Sequence, residues 1–307
     1  MKRRDFIKII GVAGAASALA VGSAIHTGAQ PQPDPDSGNF PNSLTSPFDL
    51  VFGPSGRLFV TDPPNYCVFE LDSNLKPVKS FGKPGAHIGR LNFPKGIACD
   101  ESGLLYVVDT NNSRVQLFDD NGQVKRSIGS IGSIGGAFSS PQGVYTDSQK
   151  RMLVADSRNH RIQIYKNFEL MAVIGDLGDA SDQFRLPTAC AYNADNEIIV
   201  LDSKHGMVKF FSEDLSFRRS FGSEGSAPGQ LNLPQGMSVS VNGDIWIADT
   251  GNHRIQQFSN QGKLLNVIGK EGSGAGELKR PTGLALREGF VYVADSGNKR
   301  INRIKIP

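Results

Sequence analysis

The sequence predicts an all-β, six-bladed β-propeller, and three observations carry that prediction. The first is a repeat: Asp62, Asp109, Asp156, Asp202, Asp249 and Asp295 recur every 46 or 47 residues, and each follows a proline by 14 or 15 positions (Pro47, Pro94, Pro141, Pro187, Pro234, Pro281). The second is the content of one copy, such as "PQGMSVSVNGDIWIADTGNHRIQQFSNQGKLLNVIG" from Pro234 to Gly269. It holds four short runs rich in Val, Ile and Phe, separated by the turn chemistry of "NGD", "DTGNH" and "NQGK". The third is that no helical period of useful length follows residue 30.

Within each copy the elements follow in order. The innermost strand begins at the blade proline, the second ends at the repeat aspartate, and the third starts five residues later. The fourth stops before a glycine (Gly82, Gly129, Gly175, Gly222, Gly269) that stands 12 residues ahead of the next proline. Four hairpin-joined strands per 46 or 47 residues are the unit of a propeller blade. Blade six ends at "RINRIKIP", its third strand, so it is expected to lack an outer strand. The stretch in register to supply one, "GAQPQPD", is full of prolines that cannot donate to a ladder, which leaves at best a short irregular closure from residues 36 to 43.

The phrases "VVDTNNSRVQLF", "VADSRNHRIQIY", "IADTGNHRIQQF" and "VADSGNKRINRI", each after a P-x-G-apolar start or a close variant, resemble the NHL repeat, and the resemblance covers roughly residues 44 to 307. Blades one and four depart from it: "TDPPNYCVFEL" and "LDSKHGMVKFF" place Cys67 and Met207 where the others have Arg114, Arg161, Arg254 and Arg300. A role required once per blade is structural. The six aspartates are expected to accept backbone N–H groups of the following turn, and the four arginines to reach a neighbouring carboxylate or carbonyl.

The N-terminus reads differently. Residues 1 to 29 have a basic head, an Ala/Gly-rich apolar stretch and a small-residue end, the pattern of an export signal. Within it "RRDFIK" resembles the twin-arginine consensus at Arg3, Arg4, Phe6 and Lys8, which implies Tat export to the periplasm or beyond. Cleavage is expected after Ala24 or Ala29. Residues 30 to 43, "QPQPDPDSG" and its flanks, read as a Pro-rich linker, and residues 44 to 307 as the propeller.

Charge narrows the partners. The chain has 33 basic and 30 acidic residues, and residues 1 to 29 contribute four basic and one acidic, leaving 29 of each. Some propellers similar to this one bind RNA on a basic face, but that affinity depends on neutralising phosphates, so no nucleic-acid partner is expected of a neutral exported domain. No membrane span is expected in the mature chain, which is read as monomeric. Cys67, Cys99 and Cys190 are odd in number and lie on separate strands, so buried free thiols are expected rather than a bridge.

In this strand order the loop that leads into each innermost strand shares one face with the turn after the second strand, around the channel mouth, where sites usually lie. The residues just after the blade prolines are Phe48, Lys95, Gln142, Thr188, Gln235 and Thr282. The next positions are Gly96, Gly143, Ala189, Gly236 and Gly283, all small, except Asp49 in blade one. A carboxylate there, beside Phe48 and Lys95, is placed to orient a ligand or a cation. Phe48, Asp49, Lys95, Gln142 and Gln235 are therefore candidate ligand-binding residues, joined by His87 and His205, which sequence position allows to approach the mouth. His160 and His253 read as exposed turn residues.

The chain is also similar to the lyase domain of peptide α-amidation, a resemblance that implies a zinc held by histidines at the start of inner strands. No histidine stands at those positions here. The reading is thus an exported, non-enzymatic scaffold that presents its loop-bearing face to a protein, peptide or glycan, with no catalytic residue assigned and no cofactor required. The alternative is a periplasmic metal-dependent lyase or hydrolase with a metal ion at the channel mouth. A third option is a structural subunit whose partner covers the open edge of blade six.

Overall fold

In a computed structural model of the protein, which describes residues 41–306, the strands gather into six antiparallel sheets, one per repeat. Blade two is representative: Pro94–Cys99, Leu105–Asp109, Arg114–Phe118 and Val124–Ile128 pair in sequence order, innermost to outermost. Blades one to five have four strands. Blade six has three, Pro281–Arg287, Phe290–Asp295 and Arg300–Lys305, as the sequence predicts. Residues 41–49 form no strand, and the rest of the segment considered for closure, with the export signal, lies outside the described residues.

The blades cannot bury their faces alone, and the core shows how they solve this. Six apolar clusters are buried, each shared between two consecutive blades: Val154, Tyr165 and Met152 with Val108 and Leu117, for example, or Phe184, Ile198 and Phe211 with Leu153 and Ile162. The sixth joins Leu58, Val60 and Phe69 of blade one to Ala294 and Ile301 of blade six, closing the ring by side-chain packing. Side-chain hydrogen bonds support that seam: Thr282 Oγ1 donates to the Pro47 carbonyl at 3.2 Å, and the Ser46 and Ser296 hydroxyls meet at 2.8 Å. This is nearest-neighbour stabilisation as in other repeat proteins.

All three cysteines are free, on the strands the sequence assigns them. Cys67 and Cys190 are buried, and burial pushes both thiols up; Cys99 is only half-buried. No helix among the described residues is long and apolar enough to cross a membrane.

Candidate functional site

Each second strand ends at its aspartate and passes into a single 3-10 turn, Thr110–Asn112 in blade two, closed by a left-handed residue such as Ser113 at φ 53°. Asp109 is fully buried. Its Oδ1 accepts the Asn92 N–H at 2.6 Å, and its Oδ2 accepts Arg114 Nε at 2.6 Å and Gln116 Nε2 at 3.0 Å. This corrects the expected partner of the aspartate: the amide it satisfies lies 17 residues upstream, two before the blade proline. The reason is an exchange, since the turn sends its own Asn111 N–H to the Asn92 carbonyl at 3.1 Å. The same loop amide reaches the aspartate in every blade, from Thr45, Ser139, Arg185, Asn232 and Lys279.

The arginines behave as expected. Arg114 extends past Asp109 to the carbonyls of His87 and Arg90, so one buried guanidinium pins the lead-in loop to the turn beneath it. That loop closes on itself through a parallel bridge between Pro84 and Leu91, and fully buried Leu91 anchors it. Phe138, Phe184, Leu231 and Leu278 anchor the other loops. A Leu or Phe three residues before each of these prolines was the sequence signal for this anchoring.

Blades one and four replace the arginine differently. In blade four Asp202 meets His205 Nδ1 at 2.6 Å and Lys209 Nζ at 3.0 Å, so the cation comes from two residues further along the strand. In blade one Asp62 has no cation among the described residues; it accepts Thr45 and Ser46 amides, and burial raises its pKa above the ordinary value.

At the axis the small residues abut. A Cβ on Gly96 would lie 2.4 Å from the Gln142 carbonyl oxygen, and one on Gly143 2.4 Å from that of Thr188. Asp49 occupies this crowded ring. Its Oδ1 accepts the Leu50 N–H at 2.9 Å and its Oδ2 the Ile97 N–H of blade two at 3.1 Å. The residue is half-buried, and desolvation of its carboxyl in this crowded ring lifts its pKa to about 7 against those two hydrogen bonds.

Phe48, Asp49, Gln142 and Gln235 line one axial cavity of about 40 Å³, together with Thr188, Cys190 and Thr282. That volume holds a few waters or an ion, far below the several hundred Å³ of an organic-ligand pocket. A larger ligand must sit above it, on the mouth. Lys95 stands at its rim: Nζ donates to Gln142 Oε1 at 3.0 Å and lies 5.0 Å from the Phe48 ring and 6.0 Å from that of Phe93. Burial, with the Arg158 charge, lowers its pKa to about 8.

The structure thus brings Phe48, Asp49, Lys95, Gln142 and Gln235 together but not His87 or His205. His87 is exposed on the outer reach of its loop. His205 is spent between Asp202 and Asp179, in the slot held by Asn112 in blade two. His160 and His253 are half-buried, not exposed: each Nδ1 accepts the amide just before the next blade's proline, from Leu186 and Arg280, both at 3.1 Å. Sequence reasoning passed over Phe93 and Arg158. Phe93 takes φ 58° immediately before Pro94 and stays 38% exposed, and Arg158 is exposed in the turn of blade three.

The donors around the cavity are one carboxyl, two amides, two hydroxyls already used between blades or facing them, and a buried thiol held protonated. They do not fit the zinc set implied by the resemblance to the amidating lyase, which needs histidines, thiolates or several carboxylates. Among the described residues no three His, Cys, Asp or Glu side chains converge in a metal-holding group.

Comparison with known proteins agrees with this architecture. The NHL repeat matches residues 91–118, 138–165, 231–258 and 278–303. No curated protein matches by sequence. Among solved structures, the chain is similar to a gluconolactonase from Xanthomonas campestris, with 14% identity over 87% of this chain and 88% of that one and a TM-score of 0.67. It is also similar to virginiamycin B lyase from Staphylococcus aureus, at 12% identity over 86% and 87% with a TM-score of 0.60. An auxiliary nutrient binding protein from Bacteroides thetaiotaomicron gives 12% over 85% and 69%, with a TM-score of 0.65. At these identities the likeness is one of fold. The chain is a six-bladed β-propeller, and the NHL repeat matches within its blades two, three, five and six.

Proposed function

We propose that this protein is an exported, monomeric binding scaffold that receives a protein, peptide or glycan on its loop-bearing face, over the channel mouth. One observation carries the reading. Of the eleven large apolar side chains exposed among the described residues, six (Ile88, Phe93, Ile131, Ile134, Leu177 and Leu233) lie on the lead-in loops of that face. Apolar groups gathered on one face mark an interaction surface, whereas scattered ones need no explanation. The loops that carry them are closed by bridges and pinned by the repeat arginines, or in blade four by Lys209, so little ordering entropy is lost when a ligand docks.

The test is binding to peptide and glycan arrays by the exported protein, its Ile131→Ser/Ile134→Ser/Leu177→Ser variant, and a Val241→Ser control on the opposite face. Ligands lost by the triple variant and kept by the control support the scaffold. Equal binding by all three would remove the loop face as the docking surface. Near-stoichiometric metal in protein purified after native export, with turnover of a substrate, would replace the reading by the enzymatic alternative.

A further inference from the structure

The geometry points to a carboxylate subsite at the channel mouth, formed by Lys95 and backed by Phe48 and Phe93, which takes the acid group of a ligand whose adjoining body is apolar. The inference rests on the mouth being the docking face and names the chemistry that it selects.

The argument starts from unmatched charge. Lys95 is half-buried at the mouth, yet among the described residues no carboxylate pairs with it. Within the same residues its ammonium donates one hydrogen bond, to the neutral Gln142 Oε1, which leaves two of three donors for a ligand. Asp49, the nearest acidic residue in the ring, gives both oxygens to the Leu50 and Ile97 amides and forms no ion pair with Lys95. The other repeat cations at comparable burial are paired: Arg114, Arg161 and Lys209 each meet a buried aspartate. Arg158, from the turn of blade three, has no side-chain partner among the described residues, and its charge bears on Lys95. An anion that accepts from the free ammonium donors of Lys95 relieves this unmatched charge, and the positive field of Arg158 favours it.

The surroundings restrict which anion. The Phe48 and Phe93 rings flank Nζ within cation–π range, and Phe93 keeps enough open surface to meet a ligand's apolar body. The axial cavity below is too small for anything beyond a few waters, so the body extends outward along that surface. The mouth offers one ammonium between two aromatic rings, with no second cation in contact among the described residues, so a single carboxylate fits better than a dianion.

Titration calorimetry at pH 6 on the full protein tests this with N-acetylphenylalanine, its amide and inorganic phosphate. The acid is expected to bind at least about tenfold tighter than the amide, as one lost charge-assisted contact implies, and tighter than phosphate. Lys95→Gln should erase the preference for the acid, Arg158→Gln should reduce it, and Lys95→Arg should restore part of it. Lys79→Gln, on an outer strand, should leave it unchanged. Equal binding of acid and amide, a preference that survives Lys95→Gln, or no binding of the acid would each overturn the subsite. The array result with the loop variants is independent of these ligands. A neutral peptide or glycan held by the wild type and lost by the triple variant would leave the docking face standing while the carboxylate subsite fell.

Discussion

Arg161 Nε donates to Asp156 Oδ2 at 2.7 Å while its two Nη groups hold the Ser133, Ile134 and Ala137 carbonyls, so one buried ion pair ties turn, strand and loop in blade three. Blade one keeps the carboxylate, Asp62, without a cation among the described residues. Asp156→Asn should therefore cost about 3 kcal/mol or more, because it leaves a buried guanidinium uncompensated. Asp62→Asn should cost about 1–2 kcal/mol, the loss of charge assistance to two amides. Urea unfolding of the two variants measures the difference, and equal costs would mean that the arginine is not what makes the aspartate indispensable.

The axial ring predicts intolerance to a single methyl. A Cβ at Gly143 meets the Thr188 carbonyl oxygen at 2.4 Å and the Ala189 Cα at 3.0 Å, both backbone atoms that cannot rotate away. Gly143→Ala should destabilise by about 1–3 kcal/mol, the usual cost of overpacking. A thermal midpoint equal to the wild type would show that the blades can slide apart at the axis.

Two groups at the mouth shape stability against pH. Asp49 rises from 3.8 to about 7 on folding, so its contribution is full below pH 4 and is lost as pH climbs through 7. Lys95 falls from 10.5 to about 8, so its contribution is full above pH 10.5 and is lost as pH drops through 8. Together they place a local stability minimum near pH 7–8. Unfolding midpoints across pH 4–10 should show it, with Asp49→Asn flattening the acidic limb and Lys95→Met the alkaline one.

The proposed export through the twin-arginine route makes a cellular prediction. Arg3→Lys combined with Arg4→Lys should leave the protein in the cytoplasm with its leader uncleaved, read by fractionation and mass of the chain. Undiminished export of that variant would assign the leader to another pathway.

The parts of the fold that were legible are those governed by neighbours in sequence. "NGD" and "DTGNH" are turn chemistry wherever they occur, so strand count and strand ends could be read from Asn242, Asp244 and Asp249 without knowing what they pack against. The site was half legible. Asp49 stood out because it broke a ring of small residues, and that ring is indeed at the axis. His205 misled because it also breaks the repeat, but the break is compensated locally, by an imidazole and Lys209 doing for Asp202 what an asparagine, an arginine and a glutamine do in blade two. Arg158 and Phe93 gave no signal, since one fills a variable turn slot and the other precedes a proline.

The sequence by itself determined the number of blades and their strand order, because spacing between turns sets where a chain reverses. Only the tertiary structure decided that Asp109 serves an amide 17 residues back and that Lys95 of blade two shares its surroundings with Phe48 of blade one and Gln142 of blade three. Those neighbours lie 47 residues apart, and they meet because the apolar faces close into a ring that brings the start of every innermost strand to a common axis.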